Sequence, residues 1–374
     1  MRYSIGVAAL ILAVLGFCAV AFAARQPDAL DVRVDFLTRR ALLTEPATAL
    51  VDPARQLGAQ RRAHWTVVGF VLAQLFEAGA LLYLWSSGAA AALRDRLRRR
   101  VRGEWIVRFL FGAALALVAR VAALLPSFYL YRVDHMLGLT TELTRYWLFY
   151  WILHTLLAMV IAGLIAAIVL GLVARTHQWY VYTLFGVLAA SVAWSYVSEY
   201  VTSPGWHPVR APNGTMVRLS DQMLAGSTPA EVEYSVAYQL GHVAHGDQVS
   251  IALIEGGIII VFGAFAIFIA DRLRFRRDDD SLSRLAIVGA LLALVYLAAV
   301  PVRNATLRSY DFSADAYAVA LTGDPAAAVR SLVRTADQRM VEVCPDQAAL
   351  LFLYTAPGIG ARVAAINHVP SGCP

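Results

Sequence analysis

Residues 238–247 read Tyr-Gln-Leu-Gly-His-Val-Ala-His-Gly-Asp, and an apolar run follows at 250–270. The stretch closes a segment with clear helix signals. Ser227 or Thr228 can form a capping box with Glu231, Pro229 suits the first turn, and Gly246 offers the C-terminal stop. These signals predict a helix over 229–245. Around it the chain is unusually apolar: 59% of its 374 residues are hydrophobic and 16% charged. A soluble domain carries about 25% charge, so an ordinary soluble protein is excluded, and so is a disordered chain.

Seven segments are long and apolar enough to cross a bilayer, near 5–23, 65–87, 105–125, 147–173, 179–198, 250–270 and 285–302. The first fits either a retained anchor or a cleavable signal peptide, since Ala21 and Ala23 could form an A-x-A site. The fold class expected is an all-α integral membrane protein of about seven transmembrane helices with a reduced, mainly helical peptidase-like domain. The parts are a signal-anchor or first span at 1–24, an extramembrane segment at 25–64 and spans two to five across 65–198. A peptidase-like segment at 199–249, spans six and seven across 250–302 and a helical tail at 303–374 complete the chain. Pro204 to Ser220 reads as turns and a short β-hairpin, and Asn304 to Leu321 as a separate helix.

The net charge is +6, and all 32 basic residues are arginine. That usage reflects base composition of the genome rather than a nucleic-acid partner, and none is expected. Arginines crowd two short links: Arg94, Arg96, Arg98, Arg99, Arg100 and Arg102 in one, Arg272, Arg274, Arg276, Arg277 and Arg284 in the other. Short basic links belong on the cytoplasmic side. The segment 199–249 and the tail then face outward from what is expected to be a bacterial plasma membrane. Cys344 and Cys373 in that tail would meet an oxidising compartment, where they either pair or stay as free thiols; Cys18 reads as an apolar filler of the first span.

The frame of 238–247 is that of H-E-x-x-H, in which two histidines four residues apart hold zinc and the glutamate activates a bound water. Tyr238 stands for the first histidine and Gln239 for the glutamate. Three further stretches in order resemble one family, the membrane-embedded zinc metallopeptidases of the CAAX prenyl protease type and their heat-shock peptidase relatives. Leu307 to Asp315 is similar to that family's third-ligand motif S-R-x-x-E-x-x-A-D, with Asp311 for the glutamate. Thr355-Ala356-Pro357 with Arg362-Val363 resembles its His-Pro and Arg-Val elements, with Ala356 for the histidine. Tyr131 to Thr140, followed by Trp147, resembles the family's loop ending in F-G-L-S. The likeness covers roughly residues 100–366 and implies Tyr238, His242 and Asp311 as ligand positions, Gln239 as the degenerate general-base position, and Asp315 and Ala356 around them.

These substitutions decide the functional expectation. A catalytic zinc takes three protein ligands and an open position, and tyrosine, with a pKa near 10, is a poor ligand. A glutamine cannot take a proton at neutral pH, and loss of such a base costs about 10²–10⁴ in rate. Zinc binding is therefore expected to be weak or absent. The leading reading is a pseudoprotease that acts as a membrane scaffold, its partners being membrane lipids and a membrane or lipid-modified polypeptide. The alternative is an active zinc metalloendopeptidase using a displaced site of His242, His245 and Asp311. The resemblance would place the zinc helix in the cytosol, as in the family's eukaryotic members; the arginine distribution places it outside.

Overall fold

The computed structural model describes residues 33–140, 142–202, 206–211, 214–273 and 281–374. The first apolar segment at 5–23 with Cys18, and Asn213, Arg274, Arg276 and Arg277, lie outside the described residues. A 3-10 turn at Arg33–Phe36 opens the described chain, followed by α1 (Arg39–Thr44), α2 (Ala47–Leu50), α3 (Pro53–Ser86), α4 (Ala89–Arg100), α5 (Glu104–Ala122) and α6 (Leu124–Met136). Next come α7 (Thr144–Arg175), α8 (Trp179–Thr202), strands β1 (Trp206–Arg210) and β2 (Met216–Ser220), α9 (Asp221–Gly226) and α10 (Pro229–His245). The chain ends in α11 (Asp247–Arg272), α12 (Arg284–Thr322), α13 (Pro325–Arg339), α14 (Gln347–Phe352) and α15 (Ile359–Asn367).

Among the described residues, α3, α5, α7, α11 and α12 are the helices long and apolar enough to cross a membrane. The segment expected to span at 179–198 forms the aromatic helix α8. Two boundaries differ from the sequence reading. The stretch Tyr131 to Thr140, which resembles a loop in sequence, lies in helix α6 as far as Met136. The last span and the helix expected after it are one continuous element, α12, which passes through Pro301. A proline inside a helix removes one backbone donor and bends the axis, but an apolar run before it and packed residues after it can carry the helix on.

The structure divides into two compact units: one contains Val68–Gly186 and Ile259–Ala299, the other Pro27–Val67, Val187–Ile258 and Val300–Pro374. In the first, α5 and α7 approach at small residues. A Cβ on Gly112 would meet the Ala162 carbonyl at 2.8 Å, and one on Gly163 would meet the Phe109 ring at 2.8 Å. Without a hydrophobic drive between helices in lipid, such close backbone contact is what holds a bundle together. Leu81, Val107, Phe111, Leu170 and Ile287 form its core, while Ile165 and Ile168 on α7 face outward.

The second unit is built on α13. Its buried Val329, Leu332 and Val333 pack with Leu42, Leu50, Val343, Ile359 and Val363, so the short helices of 39–50 are part of this core. Arg334 joins three regions: its Nε donates to Glu231 Oε1 at 2.8 Å, and its Nη2 donates to Asp35. Glu231 is fully buried and also accepts from the Thr228 backbone N–H at 2.7 Å, completing the capping box that starts α10. Strands β1 and β2 pair antiparallel, with Val209 opposite Val217. Val217 and Leu219 pack on Val236 and Leu240 of α10.

Candidate functional site

Helix α10 ends as its residues dictate: Gly246 adopts φ 67°, which a glycine tolerates, and its N–H returns to the His242 and Val243 carbonyls. One turn earlier, Gly241 lets α10 cross α12. A Cβ there would lie 3.0 Å from Ala314 Cα and 3.1 Å from its carbonyl oxygen. This crossing sets Tyr234, Tyr238 and His242, spaced four residues apart on one face, against Asp311 and Asp315.

The ligand and base positions come together unevenly. The Tyr238 hydroxyl donates directly to Asp311 Oδ1. Its ring meets that of His242 edge-on, centroids 4.8 Å apart. His242 Nδ1 lies 2.8 Å from Oδ2 of Asp247, which is buried. His245 is exposed and stands edge-on to Tyr317 at 6.0 Å. Gln239 is half-buried on α10, and Ala356 is half-buried in the bend before Pro357, ahead of α15.

Beside this pair lies a second one that the sequence reading only partly anticipated. Arg362, the fourth residue of α15, donates from Nε and Nη2 to the two oxygens of Asp315, each at 2.7 Å. The Tyr234 hydroxyl donates to Asp315 Oδ1 at 2.6 Å. The Arg362 guanidinium also sits over the Tyr238 ring, 5.0 Å from its centroid, a favourable place for a desolvated cation. Tyr234 could have been found from its four-residue spacing to Tyr238; the pairing of Asp247 with His242 has no local signal beyond proximity.

The electrostatics follow from this packing. Burial raises the Tyr238 pKa far above its ordinary value, with Arg362 opposing and Asp311 adding to the rise. Burial raises that of Tyr234 as well, with help from Asp315. Burial alone would lower the pKa of Arg362, but the Asp315 bonds outweigh it and the net direction is upward. Both phenols are therefore neutral donors and the guanidinium is a fixed cation. Among the described residues, no group of three His, Cys, Asp or Glu is placed to hold a metal ion. The residues present fit a catalytic zinc poorly: Tyr238 is a neutral phenol whose hydroxyl donates to Asp311, and the base position is an amide.

Residues 209–369 match peptidase family M48. The matched stretch is less than half of the chain, and over it the chain is similar to that family. The chain is 31% identical over 170 residues to Protease HtpX homolog 1 of Streptomyces coelicolor, covering 44% of this chain and 56% of that protein. It is 32% identical over 153 residues to Protease HtpX of a Psychrobacter species, covering 38% and 46%. The chain thus spans about half the length of these curated relatives. The fold is also that of Ste24p from S. mikatae, with a TM-score of 0.67, 12% identity and coverage of 94% of this chain and 96% of that one. The matched segment includes α10 and runs through α15, so every site position named above falls within it.

Cys344 and Cys373 are joined by a disulfide, with Cα atoms 5.4 Å apart. A Cβ on Gly360 would lie 2.7 Å from Cys373 Sγ, and the Gly360 N–H donates to the Val343 carbonyl at 2.9 Å. The bridge therefore clamps the start of α15, two residues before Arg362. Cys373→Ser is expected to change mobility on a non-reducing gel and to cost about 3–4 kcal/mol, the chain-entropy value for a loop of about 30 residues. Unchanged mobility together with free-thiol labelling of both cysteines in the untreated protein would refute the bridge.

Proposed function

We propose that this membrane protein uses an M48 peptidase fold to hold membrane-borne or lipid-modified polypeptide without cutting it. The observation that carries the reading is the Tyr238–Asp311 hydrogen bond, which joins two of the three ligand positions to each other. Gln239 adds to it, because an amide at the base position cannot take a proton from water. The test is peptide hydrolysis by the purified full chain with zinc added, beside crosslinking to an unfolded polypeptide. The expected result is crosslinking without hydrolysis above background. Hydrolysis that depends on zinc and stops with a chelator would overturn it.

The M48 unit is further proposed to face away from the cytoplasm of a bacterial plasma membrane. Support comes from the disulfide in its tail and from the structure of the basic links. Arg94 Nη1 donates to Ser283 Oγ at 3.1 Å, so the α4 link and the link before α12 meet at one end of the bundle. Reporters fused at Asn213 or after Pro374 should be exported, and one at Arg98 retained. The reverse pattern would discard the orientation.

A further inference from the structure

The two ends of the first unit carry very different charge. At one end, α4 and the turn after it hold Arg94, Arg96, Arg98, Arg99, Arg100 and Arg102 against Asp95 and Glu104. Helix α5 rises about 28 Å from there, close to the thickness of a bilayer core. At its far end, the last turn of α5, α6 and the start of α7 hold Arg120, Arg132 and Arg145 against Asp134 and Glu142, a nearly even balance.

The basic end is also shaped. Ala90, Leu93, Leu97 and Val101 pack on the bundle core, which turns Arg96, Arg99, Arg100 and Arg102 outward, all exposed. Arg108, one turn into α5, extends across to α7, where its Nη1 would lie 3.8 Å from a Cβ on Gly171. Arg175 is four residues beyond Gly171, on the same face and exposed. Elsewhere on its surface α7 exposes Ile165, Ile168 and Val173, and α5 exposes Trp105, at 54%. Trp105 stacks on Phe109 with centroids 5.9 Å apart; tryptophan at this depth is a marker of the headgroup level.

We infer that this end of the bundle is a docking surface for anionic phospholipid. The phosphate would sit among Arg99, Arg100, Arg102 and Arg108, and the acyl chains along α7. Topology alone accounts for arginines in the link, but not for Arg108 reaching α7 at Gly171. These residues precede the matched segment in the sequence, and the inference does not depend on the proposed function.

The test uses the full chain in vesicles of phosphatidylcholine containing brominated phosphatidylglycerol or, in the control, brominated phosphatidylcholine. Quenching of the tryptophan signal that Trp105→Phe removes reports lipid at this surface. A basic side chain near the surface favours anionic lipid by roughly fivefold, so replacing Arg99, Arg100 and Arg102 by Gln should weaken the preference on the order of a hundredfold. The triple Lys variant should keep most of it, and in the wild type the preference should fall as salt rises. Equal quenching by the two lipids in the wild type at low salt would overturn the inference. So would a Gln variant that keeps the preference.

Discussion

Replacing Tyr238 with His and Gln239 with Glu is expected to raise bound zinc from near zero to near one ion per chain. The change removes the phenol that donates to Asp311 and so returns that carboxylate to the site. It also puts an imidazole four residues before His242, on the same face of α10, opposite α12. Two nitrogens and a carboxylate then complete the three-ligand set with an open position. The opposing influence is the Arg362 cation beside the Tyr238 ring, but its charge is neutralised by Asp315 through two hydrogen bonds. Because the site forms only in the folded chain, zinc at 100 times its Kd should stabilise the double variant by about 2.7 kcal/mol. Hydrolysis should remain weak, since Ala356 supplies no donor for a developing charge. Zinc per protein is measured for both chains by elemental analysis. Near-zero zinc in both would show that the positions do not converge on an ion. One zinc already present in the wild type would remove the basis for a non-hydrolytic role.

The membrane character and the α10 helix were legible because their causes are local. Hydropathy over about 20 residues marks a span, and Thr228, Pro229, Glu231 and Gly246 state where α10 begins and ends. The convergence of α10 with α12 was legible only through the family frame, since Tyr238 and Asp311 are 73 residues apart. That frame named the positions but not what they do to one another. A tyrosine judged as a poor ligand turned out to be a donor to the other ligand position. The docking of residues 33–51 on α13 left no local trace, because it rests on Arg334 reaching Glu231 and Asp35, 103 and 299 residues away. Pro301 was the opposite case. A strong local break signal was overridden, and α12 runs on through it. Long-range pairing of charges and continuity of helices are settled by packing, which a single sequence does not display.

Arg362→Met should be strongly damaging to the second unit, costing about 3–5 kcal/mol. Asp315 is 2% exposed and takes both guanidinium bonds as well as the Tyr234 hydroxyl. Without the cation, that carboxylate keeps a single phenol partner in a site already closed to water, and an uncompensated buried charge is what makes such changes costly. The loss should spread, because the same guanidinium covers the Tyr238 ring. Arg362→Lys should recover only part of the stability: an ammonium is a point charge and cannot reproduce the planar fork that meets both oxygens. Combining Arg362→Met with Asp315→Asn should also recover part of it, because the amide carries no charge to strand, and the difference from the sum of the single changes measures the coupling. Unfolding of the solubilised chain is compared across the set. A loss below about 1 kcal/mol for Arg362→Met, with simple additivity in the double variant, would show that the pair is held by its surroundings and not the reverse.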